Sequence, residues 1–119
     1  MAENKEQGEI ILDTPDEKEL KKYTLKLSTP LKYNGEEYDS LNFDFYSLSG
    51  NDALSIEDEM AMTGKMVMAP TLSGEFMTRL AARASQEKIG EDGLRRLPIS
   101  DFLRLRSRVR GFLLALELR

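Results

Sequence analysis

The residues best equipped for chemistry are four arginines at alternate positions, Arg104, Arg106, Arg108 and Arg110, and three adjacent carboxylates, Glu57, Asp58 and Glu59. Alternating arginines could track a phosphate backbone or grip carboxylates with their planar forks. Carboxylates could serve as general acid and base or hold a cation. Neither use of the carboxylates is well supplied. Glu57 and Asp58 are neighbours, so on a helix they point about 100° apart and do not converge. Asp101 stands alone, and Asp16-Glu17-Lys18-Glu19 reads as a solvated charge run. The chain has no His and no Cys. This removes the usual general base, the commonest metal ligand and a thiolate nucleophile. No Walker-type glycine loop is present. The expectation is a protein without catalytic residues, metal or cofactor, and not an enzyme.

The arginines are placed by a helix. Ser100 is a good N-cap after Pro98-Ile99, and Asp101 suits the positive helix start. From there a helix can run almost to Arg119. Phe102, Leu105, Val109, Phe112, Leu113 and Leu116 form a stripe about 100° wide. Arg104 and Arg108 border one edge of that stripe, and Arg106 and Arg110 border the other. A face that tracks phosphates needs its cations together on the exposed side. Two flanking pairs resemble instead the charged shoulders of a helix–helix seam, so nucleic-acid binding is not expected. Leu103 and Leu114 lie off the stripe, where one buried face does not require them. Five of the six Met fall between residues 60 and 77, among them Met66 and Met68. Met fills irregular cores and also adaptable binding surfaces, and both readings stay open. The candidate partner interface is therefore Leu103, Arg104, Arg106, Arg108, Arg110, Leu114, Met66 and Met68.

The remaining elements give an α+β fold, an N-terminal antiparallel β-hairpin packed against three α-helices. Tyr23, Leu25 and Leu27 alternate with polar residues, as do Leu41, Phe43 and Phe45. Asn34-Gly35 between them suits a two-residue type I′ turn. That turn alone would set Leu25 opposite Asp44 and put the apolar faces out of phase. One extra residue, at Asp39-Ser40 or at Ser28–Pro30, restores the match. Ser49 with Asp52 opens a first helix, near 50–63, that Thr63-Gly64 closes. Ser73 opens a second, near 73–87, on which Phe76, Met77, Leu80, Ala81 and Ala84 share a face. Glu75/Arg79 and Arg83/Glu87 are i,i+4 pairs on its outer side. Gly90 to Pro98 is a loop. The third helix is the arginine-bearing one, near 100–117.

The chain's 119 residues allow one domain of 13.5 kDa, read as a flexible acidic arm at 1–22 and a single domain at 23–119. The longest apolar run, Phe112 to Leu116, is far short of the roughly 20 residues a membrane span needs. The first residues lack the apolar stretch of a signal peptide. A cytoplasmic protein with no membrane role is expected. The net charge of −4 divides unevenly, −9 over residues 1–59 and +5 over 60–119. Either the halves attract within one domain, or the split drives attraction between subunits or toward an acidic partner.

The order of these pieces resembles a known group. Leu25-Lys26-Leu27-Ser28-Thr29-Pro30-Leu31 precedes Asn34-Gly35. Leu41-Asn42-Phe43-Asp44-Phe45 and Leu48-Ser49-Gly50-Asn51-Asp52 follow. Phe76…Leu80-Ala81-Ala82-Arg83-Ala84 and Leu97-Pro98-Ile99-Ser100-Asp101-Phe102 come after. Over about residues 22–117 the chain resembles the small tail assembly proteins of bacteriophages and prophages, the tail assembly chaperone group. The resemblance implies a non-enzymatic chaperone in the bacterial host cytoplasm. Its implied partners are the tape measure protein, which it keeps soluble, and the tail tube protein, whose polymerisation it promotes. A homo-oligomer is possible. Rival readings are a structural tail component, such as a terminator or connector, and a small nucleic-acid-binding regulator.

Overall fold

The structure, a computed structural model, describes residues 22–117. The arm expected at 1–22 lies outside the described residues, except for Lys22, which opens the first strand. That strand, β1 (Lys22–Tyr33), turns through Asn34-Gly35 into an antiparallel β2 (Glu36–Asp44). Asn34 and Gly35 have φ of 51° and 82°, the two positive values a type I′ turn demands.

Next to the turn the register is the simple one, with Leu31 opposite Tyr38 and Tyr33 opposite Glu36. Farther out, Leu25 faces Leu41 and Tyr23 faces Phe43, which puts the apolar residues on one side. The shift between these stretches lies at Leu27–Pro30, the second of the two places expected. It is larger than the single residue expected. Between Lys26↔Ser40 and Leu31↔Tyr38, β1 has four residues where β2 has only Asp39. The physical reason is that Pro30 has no N–H for the ladder, while the Ser28 N–H is drawn away by a side chain from the last helix. An odd number of extra residues restores the face whether it is one or three.

After β2 the chain makes a 3₁₀ turn (Phe45–Ser47) and enters α1 (Gly50–Met62). Asp52 accepts the Ser49 N–H at 2.8 Å. Gly64, at φ 80°, and Lys65 return their N–H groups to Ala61 and Met60, a Schellman closure. A link without regular structure leads through a second 3₁₀ turn (Pro70–Leu72) into α2 (Gly74–Ala84). There the Ser73 hydroxyl accepts the Phe76 N–H at 3.0 Å, as its position predicts.

Helix α2 stops at Ala84, three residues before the expected end, because the next residues pair with the sheet. Ser85 bridges to Phe43, and the Gln86 N–H donates to the Asn42 carbonyl at 2.8 Å. The Glu87 carboxylate accepts both the backbone N–H and the side-chain amide of Asn42. It therefore cannot form the expected pair with Arg83. The loop expected over Gly90–Pro98 holds one helical turn, α3 (Glu91–Leu94), so four helices follow the hairpin. Gly93 lets this turn settle on Tyr33, since a Cβ there would stand 2.7 Å from the ring and from Ile89. The last helix, α4 (Ile99–Glu117), begins with the Phe102 N–H donating to the Pro98 carbonyl. Ser100 consequently lies inside the first turn and not at the cap.

The core lies between the hairpin's apolar face, α2 and α4. Phe43, Phe45 and Phe112 stack in sequence, with ring centroids 6.3 and 5.0 Å apart. Leu25, Leu41, Met77, Leu94, Leu105 and Val109 close around them. Helix α1 reaches this core mainly through Ile56 and Met60.

Candidate partner-binding surface

The arginines of α4 take two different positions. Arg104 and Arg108 lie over β1. The Arg104 guanidinium donates to the Lys26 carbonyl at 3.0 Å and pairs with Asp101. Arg108 stacks over the Tyr23 ring at 4.7 Å. Asp101, a polar residue on the buried stripe of α4, has its carboxylate fully enclosed. It accepts the Ser28 N–H at 3.0 Å and the Ser28 hydroxyl at 2.9 Å. Burial pushes the Asp101 carboxyl up, but the two Ser28 donors and Arg104 outweigh it and hold the group below the ordinary carboxylate range. The sequence suggested a dipole role for Asp101; its larger task is to hold the irregular stretch of β1.

Farther along, Arg96 donates to the Lys32 carbonyl at 3.0 Å and stacks over Tyr33. Residues 85–87 cover the outer edge of β2 at Asn42 and Phe43, and the opposite edge of this two-stranded sheet belongs to β1. Arg96, Arg104 and Asp101 occupy its backbone groups, and charged caps of this kind discourage strand-on-strand pairing.

Arg106 and Arg110 lie on the other side of α4. Arg110 donates to the Thr71 carbonyl at 2.9 Å, and the Arg106 guanidinium passes 3.7 Å from the point where a Cβ on Gly74 would stand. Leu103 and Leu114 are eleven residues apart, three turns and a small remainder, so they share a face just outside Arg106 and Arg110. They are 41% and 43% exposed, which agrees with their place off the stripe. Met66 and Met68 belong to the link that delivers Thr71 to Arg110. Together with Met62 and Leu72 they are 78–87% exposed, and these four side chains do not fill the core. Met60 and Met77 do. Thus Arg106 and Arg110 face the end of the link that carries Met66 and Met68, whereas Arg104 and Arg108 serve the sheet. Sequence reasoning missed Met62 and Leu72, although Met62 stands next to the predicted helix end.

An apolar groove opens on a second side. It measures about 300 Å³ and is lined by Phe45, Leu48, Ala53, Phe76, Phe112 and Leu113, with Leu80 at its base and Leu116 at its rim. Its signal in the sequence was only that Leu113 and Leu116 extend the α4 stripe past Phe112.

The remaining charges form a network. Arg83 bridges Asp52 at 3.0 Å and Glu59 at 2.8 Å. Arg79 joins Glu59, Glu75 and Glu91, and the Glu75–Arg79 pair is the one the spacing predicts. Lys65 joins Glu75 at 2.6 Å, and Arg95 joins Glu91. The Ser49 N–H is the main influence that lowers the Asp52 carboxyl, and the Lys65 hydrogen bond lowers that of Glu75. Carboxylates held ionised by paired cations are poor general acids. Asp52–Arg83 and Glu59–Arg79 also join the acidic first half of the chain to the basic second half.

A small α+β domain whose open chemistry is apolar side chains beside cations fits a binding protein. The chain matches the family of phage tail assembly chaperone proteins, E, or 41 or 14, over residues 24–114, and belongs to that family. No curated protein and no solved structure shows a significant match. No described helix is long and apolar enough to cross a membrane.

Proposed function

We propose that this protein is a non-enzymatic chaperone that binds the tape measure protein in the host cytoplasm and promotes polymerisation of tail tube subunits around it. The observation that carries the reading is the exposure of Met62, Met66, Met68 and Leu72, together with that of Leu103 and Leu114 on α4. A long amphipathic helix needs its apolar side covered before assembly. Unbranched Met side chains can adapt to many turns of such a helix. Arg106 and Arg110 border the apolar residues and supply contacts for carboxylates along the partner. Many weakly bound copies gain avidity along a long partner and leave one at a time.

The test is co-expression with a tape measure fragment. The wild-type chain should keep the fragment soluble and co-purify with it. Leu103→Gln/Leu114→Gln and Met66→Gln/Met68→Gln should stay folded and lose the fragment. Retained binding by both variants would reject this surface. Failure of the wild type to bind, together with its presence in finished particles, would favour a structural tail component. Retarded DNA at physiological salt would favour the regulator reading, which the internal contacts of Arg79, Arg83, Arg96 and Arg104 disfavour.

A further inference from the structure

We propose that Met62, Met66 and Met68 form an oxidation site, at which a hydroperoxide turns the apolar side chains of the partner-binding surface into polar sulfoxides and so switches binding off reversibly. Exposure singles these three out. They are 87%, 78% and 85% exposed, whereas Met60 and Met77 lie in the core at 3% and 1%. The local backbone places them outside. Met62 is the last residue of α1, and Gly64, at φ 80°, turns the chain away behind it. Val67 packs against the core between Met66 and Met68. The chain has no Cys and no Trp, so no thiol or indole competes for the oxidant.

The reaction transfers one oxygen atom. A thioether lone pair attacks one oxygen of the peroxide. An S–O bond forms, the O–O bond breaks, and the departing hydroxide takes the proton of the transferred hydroxyl and leaves as water. Sulfur is oxidised by two electrons and the peroxide is reduced by two. The product is methionine sulfoxide, polar and chiral where the thioether was apolar and adaptable.

The fold does not depend on these sulfurs. The turn after α1 is held by backbone bonds from Thr63, Gly64 and Lys65 to Met60 and Ala61. The link is tied at its two ends, by Lys65 to Glu75 and by Arg110 to the Thr71 carbonyl. Sulfoxide formation therefore alters the surface and leaves its frame. Selective oxidation follows from exposure, while the loss of a partner rests on the tape measure reading.

The test applies hydrogen peroxide to the full chain and follows each Met by peptide mass mapping. Met62, Met66 and Met68 should gain oxygen at least about tenfold faster than Met60 and Met77, which react only when the domain opens. Far-ultraviolet circular dichroism should stay unchanged. The oxidised chain should leave a hydrophobic-interaction column earlier and release the tape measure fragment. Methionine sulfoxide reductases for both sulfoxide epimers should restore retention and binding. Met62→Leu/Met66→Leu/Met68→Leu keeps the surface apolar without sulfur and should hold the fragment before and after peroxide. Equal oxidation rates at Met60, Met77 and the exposed three, or unchanged column retention once the three are oxidised, would overturn the proposal. So would a leucine variant that loses the fragment after peroxide as fully as the wild type. Failure of the untreated wild type to bind the fragment would reject the tape measure reading, and column retention would still decide whether oxidation closes the apolar surface.

Discussion

Asp101 is an enclosed, ionised side chain that ties β1 to α4 through Ser28 and Arg104. Its carboxyl lies below the ordinary range in the folded protein, so its contribution is full above the unfolded pKa, near 4, and fades as pH falls through the lower folded value. Asp52 and Glu75 act in the same direction. Asp101→Asn should lower stability by about 1–3 kcal/mol at pH 7, since a neutral amide replaces an acceptor of charge-assisted bonds. The gap from wild type should narrow below pH 4, and urea denaturation at several pH values reads it. Gly93 is the second sensitive residue. Gly93→Ala should cost about 1–3 kcal/mol, as a methyl meets the Tyr33 ring at 2.7 Å. Thermal melting would register it as a fall of several degrees.

At the scale of elements, the hairpin and α1 are held by different means. The hairpin depends on its turn. Asn34→Pro cannot take a φ of 51° and should destabilise well beyond Lys32→Ala, whose carbonyl contact with Arg96 belongs to the backbone and survives. Equal melting temperatures for the two variants would contradict the turn assignment. Helix α1 buries only Ile56 and Met60 and is tied to α2 by Arg83 and Arg79. The partners are partly exposed, so Arg83→Gln should cost no more than about 1 kcal/mol. That difference should largely vanish in 1 M salt, where the screening length is about 3 Å. The two dependences together separate an ionic tie from an apolar one.

For the whole molecule, the edge of β1 and the outer side of α4 have opposite characters. The edge is closed by Arg96, Arg104 and Asp101, so association through added strands is disfavoured. The outer side of α4 offers Leu103 and Leu114, with Arg106 bordering the face they share. Arg106→Glu should weaken self-association or partner binding, more at low salt than at high, while leaving the fold intact. Light scattering across protein concentration and a tape measure pull-down measure the two effects. A strict monomer at high micromolar concentration that also fails to hold the fragment would remove the case for this face.

Short-range chemistry was legible in the residues themselves. Asn34-Gly35 specified its turn because few other pairs tolerate two positive φ values. Ser73 and Gly64 marked helix ends because orphan backbone groups need local partners. The α4 stripe and the off-stripe Leu103 and Leu114 followed from helical periodicity, and the tail-assembly family was visible in the order of the pieces. Distant contacts decided the rest. The three-residue excess in β1 depends on Asp101, which is 73 residues from Ser28 along the chain. Asn42 ended α2 by capturing Gln86 and Glu87, and Arg83 turned to α1 in place of Glu87. Met60 and Met77 became core, Met77 on the face that periodicity assigns it, while Met62, Met66 and Met68 stayed outside, a difference that residue type alone does not carry. Whether an Arg or a Met faces inward is set by what lies opposite, and periodicity along one segment holds no information about a partner brought from another.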